Sequence, residues 1–298
     1  MKKLSIVVSL PGVNNYLRQQ ETAARETAQR LGVDLRVLNA ESDPVTQSQQ
    51  LLEIIQSRSA LPDCMIVEPV NNQGLPRVAE AAVAAGIGWV ISNARVDYMD
   101  NLRKTAKAPV FTISQDHAEI GRTQGRQFAA LLPRGGSILY LRGPATNFLA
   151  SQRAESMESV LPPNIQLKTL KIQWTAESAY NSLHSWLRLS TNHAADTALI
   201  SSQNTDFIQA ARKAFHEISV EAERARWLGC PMTAVGLASH TQQLVDNGTL
   251  VAAVLTSLTM DTAIEMAVNR IQNGSQGVAH SFVRSWSYPE VDKLGKKI

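Results

Sequence analysis

The feature that most constrains this chain is a short apolar run followed by a helical pattern, repeated from its first residues almost to its last. Leu4–Val8 leads through Ser9, Pro11, Gly12, Asn14 and Asn15 into a helical stripe. The same order returns at Cys64–Val67, Gly88–Ile91, Ser137–Leu141, Ala198–Ser201 and Trp227–Cys230. Strands alternating with helices specify parallel sheets covered by helices, and such sheets take ligands at the carboxyl ends of their strands. The chemistry of this chain is therefore to be sought in its strand-end loops.

In the first unit Leu17, Ala24, Ala28 and Leu31 share a helical face, Gly32 stops the helix, and Leu35–Val37 resumes a strand. Helices are expected next around Leu51–Ile55 and around Leu75–Val83. The unbroken apolar strands between them read as central parallel strands buried on both faces. Residues 94–109 interrupt the pattern with charges and fit a crossing between domains, after which Val110–Ile113 begins a fresh strand. The grammar then restarts with a helix at Ile120–Leu132, a strand at Ser137–Leu141, a loop at Gly143–Leu149, a helix to Val160 and a strand at Leu167–Ile172. Further helices are expected at Ala179–Leu189, Asp206–Ile218, His240–Asn247 and Asp261–Gln272, with a strand at Leu250–Leu255.

At 298 residues and 44% hydrophobic content, the chain suits two cores of about 100 to 150 residues each. The 29 Lys and Arg and 26 Asp and Glu leave a net charge of +3, and the cations are scattered, so no nucleic-acid surface is expected. Cys64 and Cys230 each sit in an apolar run and read as two buried reduced thiols. Lys2 and Lys3 precede only Leu4–Leu10 before Pro11, too short a run for an export signal. No run reaches the roughly 18 apolar residues of a membrane span.

Several chemistries lack their motifs. There is no Gly-x-Gly-x-x-Gly or Gly-x-x-x-x-Gly-Lys-Ser/Thr to cradle a cofactor's phosphates, and no Gly-x-Ser-x-Gly elbow. His117, His184, His193, His216, His240 and His280 form no metal-ligand spacing. No catalytic residue, metal site or cofactor is expected. The strand-end loops instead carry amides, guanidinium groups and a ring: Asn14, Asn15 and Tyr16, then Asn93 and Arg95, Arg153, and Gln203, Asn204, Thr205 and Asp206. Amides donate and accept, Arg forks onto paired oxygens, and rings stack on C–H faces, which suits a polar, hydroxyl-rich small molecule. The same residues also serve as turns and helix caps, and Asp206 as an N-cap, Arg95 as a solvated charge, Asp116 as a cap and Trp174 as core are equally open readings.

Taken in order, Val8-Ser9 with Asn14-Asn15-Tyr16, Leu31-Gly32-Val33, Met65–Pro69, Ala85–Ile91, Ile113–Asp116 with Ile120-Gly121, Gly143 ten residues before Arg153, Gln203-Asn204 and Asp246–Leu250 carry a likeness over the whole length. The chain resembles the type I periplasmic binding proteins of the ribose and galactose branch, and the ligand-sensing domains of lactose-repressor-like regulators. The resemblance implies an α/β fold of two Rossmann-like parallel-sheet lobes joined by a three-strand hinge, the periplasmic binding protein-like I fold. The lobes would be 1–115 plus 257–281 and 116–256 plus 282–298, crossing near Gln115-Asp116, Thr256-Ser257 and Ser281–Val283. It carries ligand contacts onto Asn14, Tyr16 and Asn93 in the first lobe, onto Arg153, Trp174 and Asn204 in the second, and onto Thr256 at a crossing. Tyr16 and Trp174 would sandwich a ring.

The chain also departs from that branch. Asn93-Ala94 stands where its sugar binders carry Asp-Arg, with Arg95 one step late; Pro231 follows Gly229-Cys230 where they carry an Asp, and Thr256 replaces a Gln. With both acidic acceptors gone, a ligand whose anionic group faces Arg95 or Arg153 comes into view beside neutral sugars. The resemblance implies non-enzymatic binding of a sugar, cyclitol or sugar acid between two closing lobes, for uptake with an ABC permease or for signalling to a sensor protein. The alternative is a cytoplasmic effector-sensing protein related to lactose-repressor-type cores without a DNA-binding headpiece. The family is periplasmic, whereas the absence of an export signal fits a cytoplasmic protein or a trimmed mature form.

Overall fold

A computed structural model describes residues 3–57, 61–71, 75–94, 96–189 and 196–296. Arg95 and His193 lie outside the described residues. The chain forms two compact units, Met1–Gln115 with Leu258–Val283 (unit 1) and Asp116–Ser257 with Arg284–Ile298 (unit 2).

Unit 1 runs β1 (Ser5–Leu10), α1 (Asn15–Leu31), β2 (Asp34–Asn39), α2 (Pro44–Gln56), β3 (Cys64–Val67), α3 (Pro76–Ala84), β4 (Gly88–Ser92), α4 (Met99–Thr105) and β5 (Val110–Gln115). Unit 2 runs α5 (His117–Leu131), β6 (Gly136–Arg142), α6 (Phe148–Glu158), β7 (Ile165–Lys171), α7 (Ala176–Leu187), β8 (Leu199–Ser202), α8 (Thr205–His216), α9 (Glu221–Gly229), β9 (Met232–Leu237), α10 (Ala238–Asp246) and β10 (Ala252–Thr256). The chain then returns to unit 1 with α11 (Met260–Gln272) and β11 (His280–Val283), and to unit 2 with β12 (Ser285–Tyr288) and a 3-10 helix at Val291–Lys296.

Both sheets have six strands, ordered β2-β1-β3-β4-β5-β11 and β7-β6-β8-β9-β10-β12. Every pairing is parallel except β12 against β10. The period-2 alternation of a strand splits each unit's core into two layers. On β1, Ile6 and Val8 face α1 and α11, while Val7 faces the layer holding Leu51 of α2, Val78 of α3 and Leu102 of α4. On β6, Leu139 and Leu141 face α7, α8 and α9, while Ile138 and Tyr140 face α5 and α6. The parallel doubly covered α/β architecture read from the repeat is the one observed.

Local chemistry sets the element ends. Asn14 accepts from Leu17 N and starts α1, and Gly32 ends it at φ 68°, where a side chain would be strained. Asp43 caps α2 ahead of Pro44 at the first helical position, where a missing N–H costs nothing. Gly121 and Gly125 let α5 lie against α6: a Cβ on Gly121 would stand 2.2 Å from the Arg153 carbonyl oxygen.

Three sequence expectations are corrected. Trp227–Cys230 is no strand: it is the end of α9, and the strand begins at Met232. The run looked like a strand because Trp227 is the one buried residue of α9, so no 3.6-residue stripe accompanies it. Residues 94–109 are not a crossing; they hold α4, anchored by buried Met99 and Leu102, and unit 1 continues to Gln115. Of the two free cysteines, Cys64 is buried in β3, whereas Cys230 is only half-buried just past α9.

Trp227 stacks on Phe215 at 5.1 Å between ring centroids and meets Trp186 edge-on at 5.7 Å. It is fully buried. Trp227→Ala is expected to cost about 3–5 kcal/mol through lost burial and the cavity left behind, measured as a lowered denaturation midpoint at unchanged slope in urea.

Candidate functional site

In each sheet the strand order reverses once, between β1 and β3 and between β6 and β8. At such a switch point the loops leaving the two strands diverge and open a crevice at the carboxyl edge. The loops there in unit 1 begin at Pro11 and Glu68, with Asn93 following β4; in unit 2 they begin at Gly143 and Gln203.

In unit 1 the edge is a connected polar cluster. Glu68 follows four buried residues, Cys64–Val67, so its backbone is held deep: its N–H donates to Ser9 O at 2.9 Å, and its carbonyl accepts from Gln47 Nε2 at 2.9 Å. Asn93 Nδ2 donates to the Tyr16 hydroxyl and reaches Glu68 Oε2 at 3.5 Å and Thr259 Oγ1 at 3.4 Å. Gln20 Nε2 also donates to the Tyr16 hydroxyl, and its Oε1 accepts from the N–H groups of Thr259 and Met260 at 3.1 and 3.0 Å. Asn93 is buried with a left-handed backbone, φ 50°, a conformation Asn tolerates better than most residues. Its Oδ1 is buried with no hydrogen-bond partner. Burial pushes the Glu68 carboxyl up to about 7, against the Asn93 N–H that favours the ionised form. Burial, and then the Glu68 charge, push the Tyr16 hydroxyl well above its ordinary range.

In unit 2 the edge is organised by one buried amide. Gln203 Oε1 accepts from Gly143 N at 3.0 Å, and its Nε2 donates to the Tyr140 hydroxyl and the Ala150 carbonyl, both at 2.9 Å. Its own carbonyl accepts from Arg153 Nη1 at 3.1 Å, and Arg153 Nε donates to His117 Nδ1 at 3.0 Å. A ring nitrogen that accepts from a guanidinium is unprotonated, so His117 carries its proton on Nε2. Burial first, and the adjacent Arg153 charge second, hold this imidazole well below its usual pKa and therefore neutral. Trp174 stacks on Phe207 at 5.7 Å, and its ring lies so close to Gly143 that a Cβ there would stand 2.4 Å from it.

The candidates named from sequence thus divide. Tyr16 and Asn93 meet in one cluster, while Arg153 joins His117 and Gln203 in another. Asn14 is exposed and its side chain caps α1. Asn204 caps α8 by accepting from Asp206 N, so Asp206 is not the N-cap, and Asp116 caps α5. Thr256 is buried, with its hydroxyl 3.3 Å from the Gly236 carbonyl. Sequence reading did not offer Glu68, Gln20 or Thr259 as site residues and set His117 aside with the other lone histidines. An acid closing a wholly apolar strand just before Pro69 was the available signal for Glu68. The strand end at which a second acid is expected also lies further on than Pro231: β9 ends at Leu237, followed by Ala238 and Ser239, with no carboxylate there.

The chain matches the family model described as periplasmic binding protein domain over residues 6–275. No curated protein matches it. Among solved structures it is similar to a galactofuranose binding protein at 16% identity, with 98% of this chain and 96% of that chain covered and a TM-score of 0.79. It is similar to an ABC transporter periplasmic solute binding protein from Actinobacillus succinogenes 130z with bound D-allose, at 19% identity, coverage of 99% and 100%, and a TM-score of 0.80. A third is the periplasmic binding protein component of the arabinose ABC transporter from Shewanella sp. ANA-3, bound to α- and β-L-arabinofuranose, at 18% identity, coverage of 98% and 95%, and a TM-score of 0.78. The shared fold has two α/β lobes, each built on a six-stranded sheet. With the family match spanning β1 to α11, and only β11, β12 and the final 3-10 helix beyond it among the described elements, the chain belongs to the periplasmic binding protein domain family.

Proposed function

We propose that this chain binds a small polar, sugar-like solute without transforming it, using the strand-end loops of both units. The observation that carries the reading is the polar edge at each switch point, in a chain whose whole length follows a binding-protein fold. Of the structural relatives named above, one is a galactofuranose binding protein and the other two hold D-allose and L-arabinofuranose. Uncharged hydroxyl-rich ligands need groups that both donate and accept, and the Asn93 amide and the Tyr16 hydroxyl are of that kind, while the Arg153 guanidinium adds donors. Closure of the two units on the solute, delivery to an ABC permease or a sensor protein, and ligand contacts at Asn14, Tyr16, Asn93, Arg95, Arg153, Trp174, Asn204 and Thr256 belong to the same proposal. The regulator-core alternative has less support, because the family and these relatives are solute-binding proteins.

Neutral sugars stand ahead of sugar acids in this reading. Glu68 supplies unit 1 with an acidic acceptor at the end of β3, so loss of the family's usual Asp pair does not leave that edge without one. Arg153 supplies the complementary donor in unit 2.

A thermal-shift panel of aldopentoses, aldohexoses, cyclitols and sugar acids tests the reading. A solute at 100 times its Kd adds about 2.7 kcal/mol to stability, which is expected to raise the melting temperature by several degrees for at least one member. A panel with no shift by any member removes the support for solute binding. For a member that binds, Arg153→Ala is expected to weaken affinity about tenfold or more, roughly 1.4 kcal/mol, by calorimetry. The same substitution is expected to raise the His117 pKa, by NMR titration, because one of the two causes depressing it is gone.

A further inference from the structure

The ligand edge of unit 1 ends on an amide that can face two ways. Asn93 is 7% exposed, so its side chain is confined, and its Nδ2 end is the one turned toward the Tyr16 hydroxyl and Glu68 Oε2. Its Oδ1 end has no partner. A half-turn of the carboxamide exchanges the ends with almost no change of shape, so hydrogen bonding alone chooses between them. In the turned orientation Oδ1 can accept from the Tyr16 O–H, but it then faces Glu68. Two bare oxygens repel each other there, and only a protonated Glu68 supplies the hydrogen that joins them. An ionised Glu68 requires the opposite orientation, with an amide N–H between the two groups.

We propose that Glu68 is a positioning residue for the ligand edge of unit 1: by holding or releasing one proton it selects which end of the Asn93 amide is bound to the protein and which end is left for a ligand. The proposal rests on the solute-binding reading above for its purpose, though not for its geometry. With Glu68 ionised, the free end is Oδ1, an acceptor for a ligand hydroxyl or ammonium. With Glu68 protonated, the free end is Nδ2, a donor for a ligand ether, carbonyl or carboxylate oxygen.

The groups facing Glu68 leave this equilibrium to its own proton. From α1 comes the Tyr16 phenol, which stays protonated because burial and the Glu68 charge push it well up. From the loop after β4 comes Asn93, and from the start of α11 the Thr259 hydroxyl stands beside Asn93. From α2 the neutral Gln47 amide reaches only the Glu68 carbonyl. Among the described residues no Lys, Arg or His forms an ion pair with Glu68. A carboxyl held at about 7 by burial populates both forms across neutral pH. The sign follows: below that midpoint the edge offers a donor, and above it an acceptor.

The test is a side-chain NMR titration of the full-length protein without added solute, from pH 5.5 to 8.5, with the Asn93 amide signal identified by its loss in Asn93→Ala. The expected result is that the Asn93 side-chain resonances and the Glu68 carboxyl carbon move together with one midpoint near 7. In Glu68→Gln, which is neutral at every pH, the Asn93 signal is expected to stay at one position throughout the titration. A Glu68 midpoint in the ordinary carboxylate range overturns the proposal, and so does a Glu68 titration that leaves the Asn93 amide unmoved. If Glu68→Gln does not fold, the two wild-type midpoints decide. Because no solute is present, failure here leaves the binding reading intact, and a silent ligand panel leaves this titration readable.

Discussion

The constraint on which both units depend is the satisfaction of polar groups where parallel strands stop. A sheet edge buried beneath loops leaves backbone donors and acceptors that water does not reach, and each one left unpaired costs about 1–3 kcal/mol. This chain meets the problem with buried glutamines. Gln20 ties the first N–H groups of α11 to α1, Gln47 ties Ser9, Glu68 and Val70 together, and Gln203 joins Gly143, Tyr140 and Ala150. Gln124 extends the network by accepting from Tyr140 and donating to Ser201 and Ser202. One carboxamide carries two donors and an acceptor on a three-bond stem, so a single side chain can fix three segments at once. A carboxylate in the same place would bring a charge and no donors.

Those clamps determine what the remaining side chains can do. With the backbone around Glu68 and Gly143 fixed by amides, the neighbouring side chains proposed as ligand contacts are free to differ between units. Unit 1 presents a carboxyl, a phenol and an amide, all of them able to accept; unit 2 presents a guanidinium bound to a neutral imidazole. Arg153 shows how closely the two tasks are joined, since its carbonyl lies against Gly121 while its side chain reaches His117 and Gln203. The residue is fixed at both ends, and its charge sits where helix packing puts it.

The parallel α/β architecture was legible because it rests on apolar periodicity, which Cys64–Val67 and Ser137–Leu141 display without ambiguity. The misreadings share one cause. α9 and α4 bury one and two residues respectively, too few for a helical stripe, so a short apolar end was taken for a strand and a charged helix for a crossing. At the strand-end loops residue type pointed to a set of polar side chains, but type alone does not tell which of them cap helices: Asn14, Asn204 and Asp116 do, while Tyr16, Asn93 and Arg153 join the polar clusters. Glu68, His117 and Gln20 were missed because their significance lies in three-dimensional company. A carboxyl near neutrality, an imidazole kept neutral by a guanidinium, and a glutamine spanning α1 and α11 have no signature along the chain.

The return of the chain to unit 1 has a consequence for synthesis. Residues 258–283 supply α11, whose Met260, Ala263, Ile264 and Ala267 fill one layer of that core, and β11, which completes the sheet beside β5. The Gln20–Thr259 clamp joins positions 239 residues apart. As the polypeptide is made toward its carboxyl end, residues 1–115 therefore wait, with the α11 face of their sheet covered by α1 alone, while all of Asp116–Ser257 is made. Unit 1 begins first yet is completed only when Val283 has been made, just ahead of the last strand of unit 2, and the part of its apolar layer that α11 covers stays open until then, the stretch a chaperone would meet.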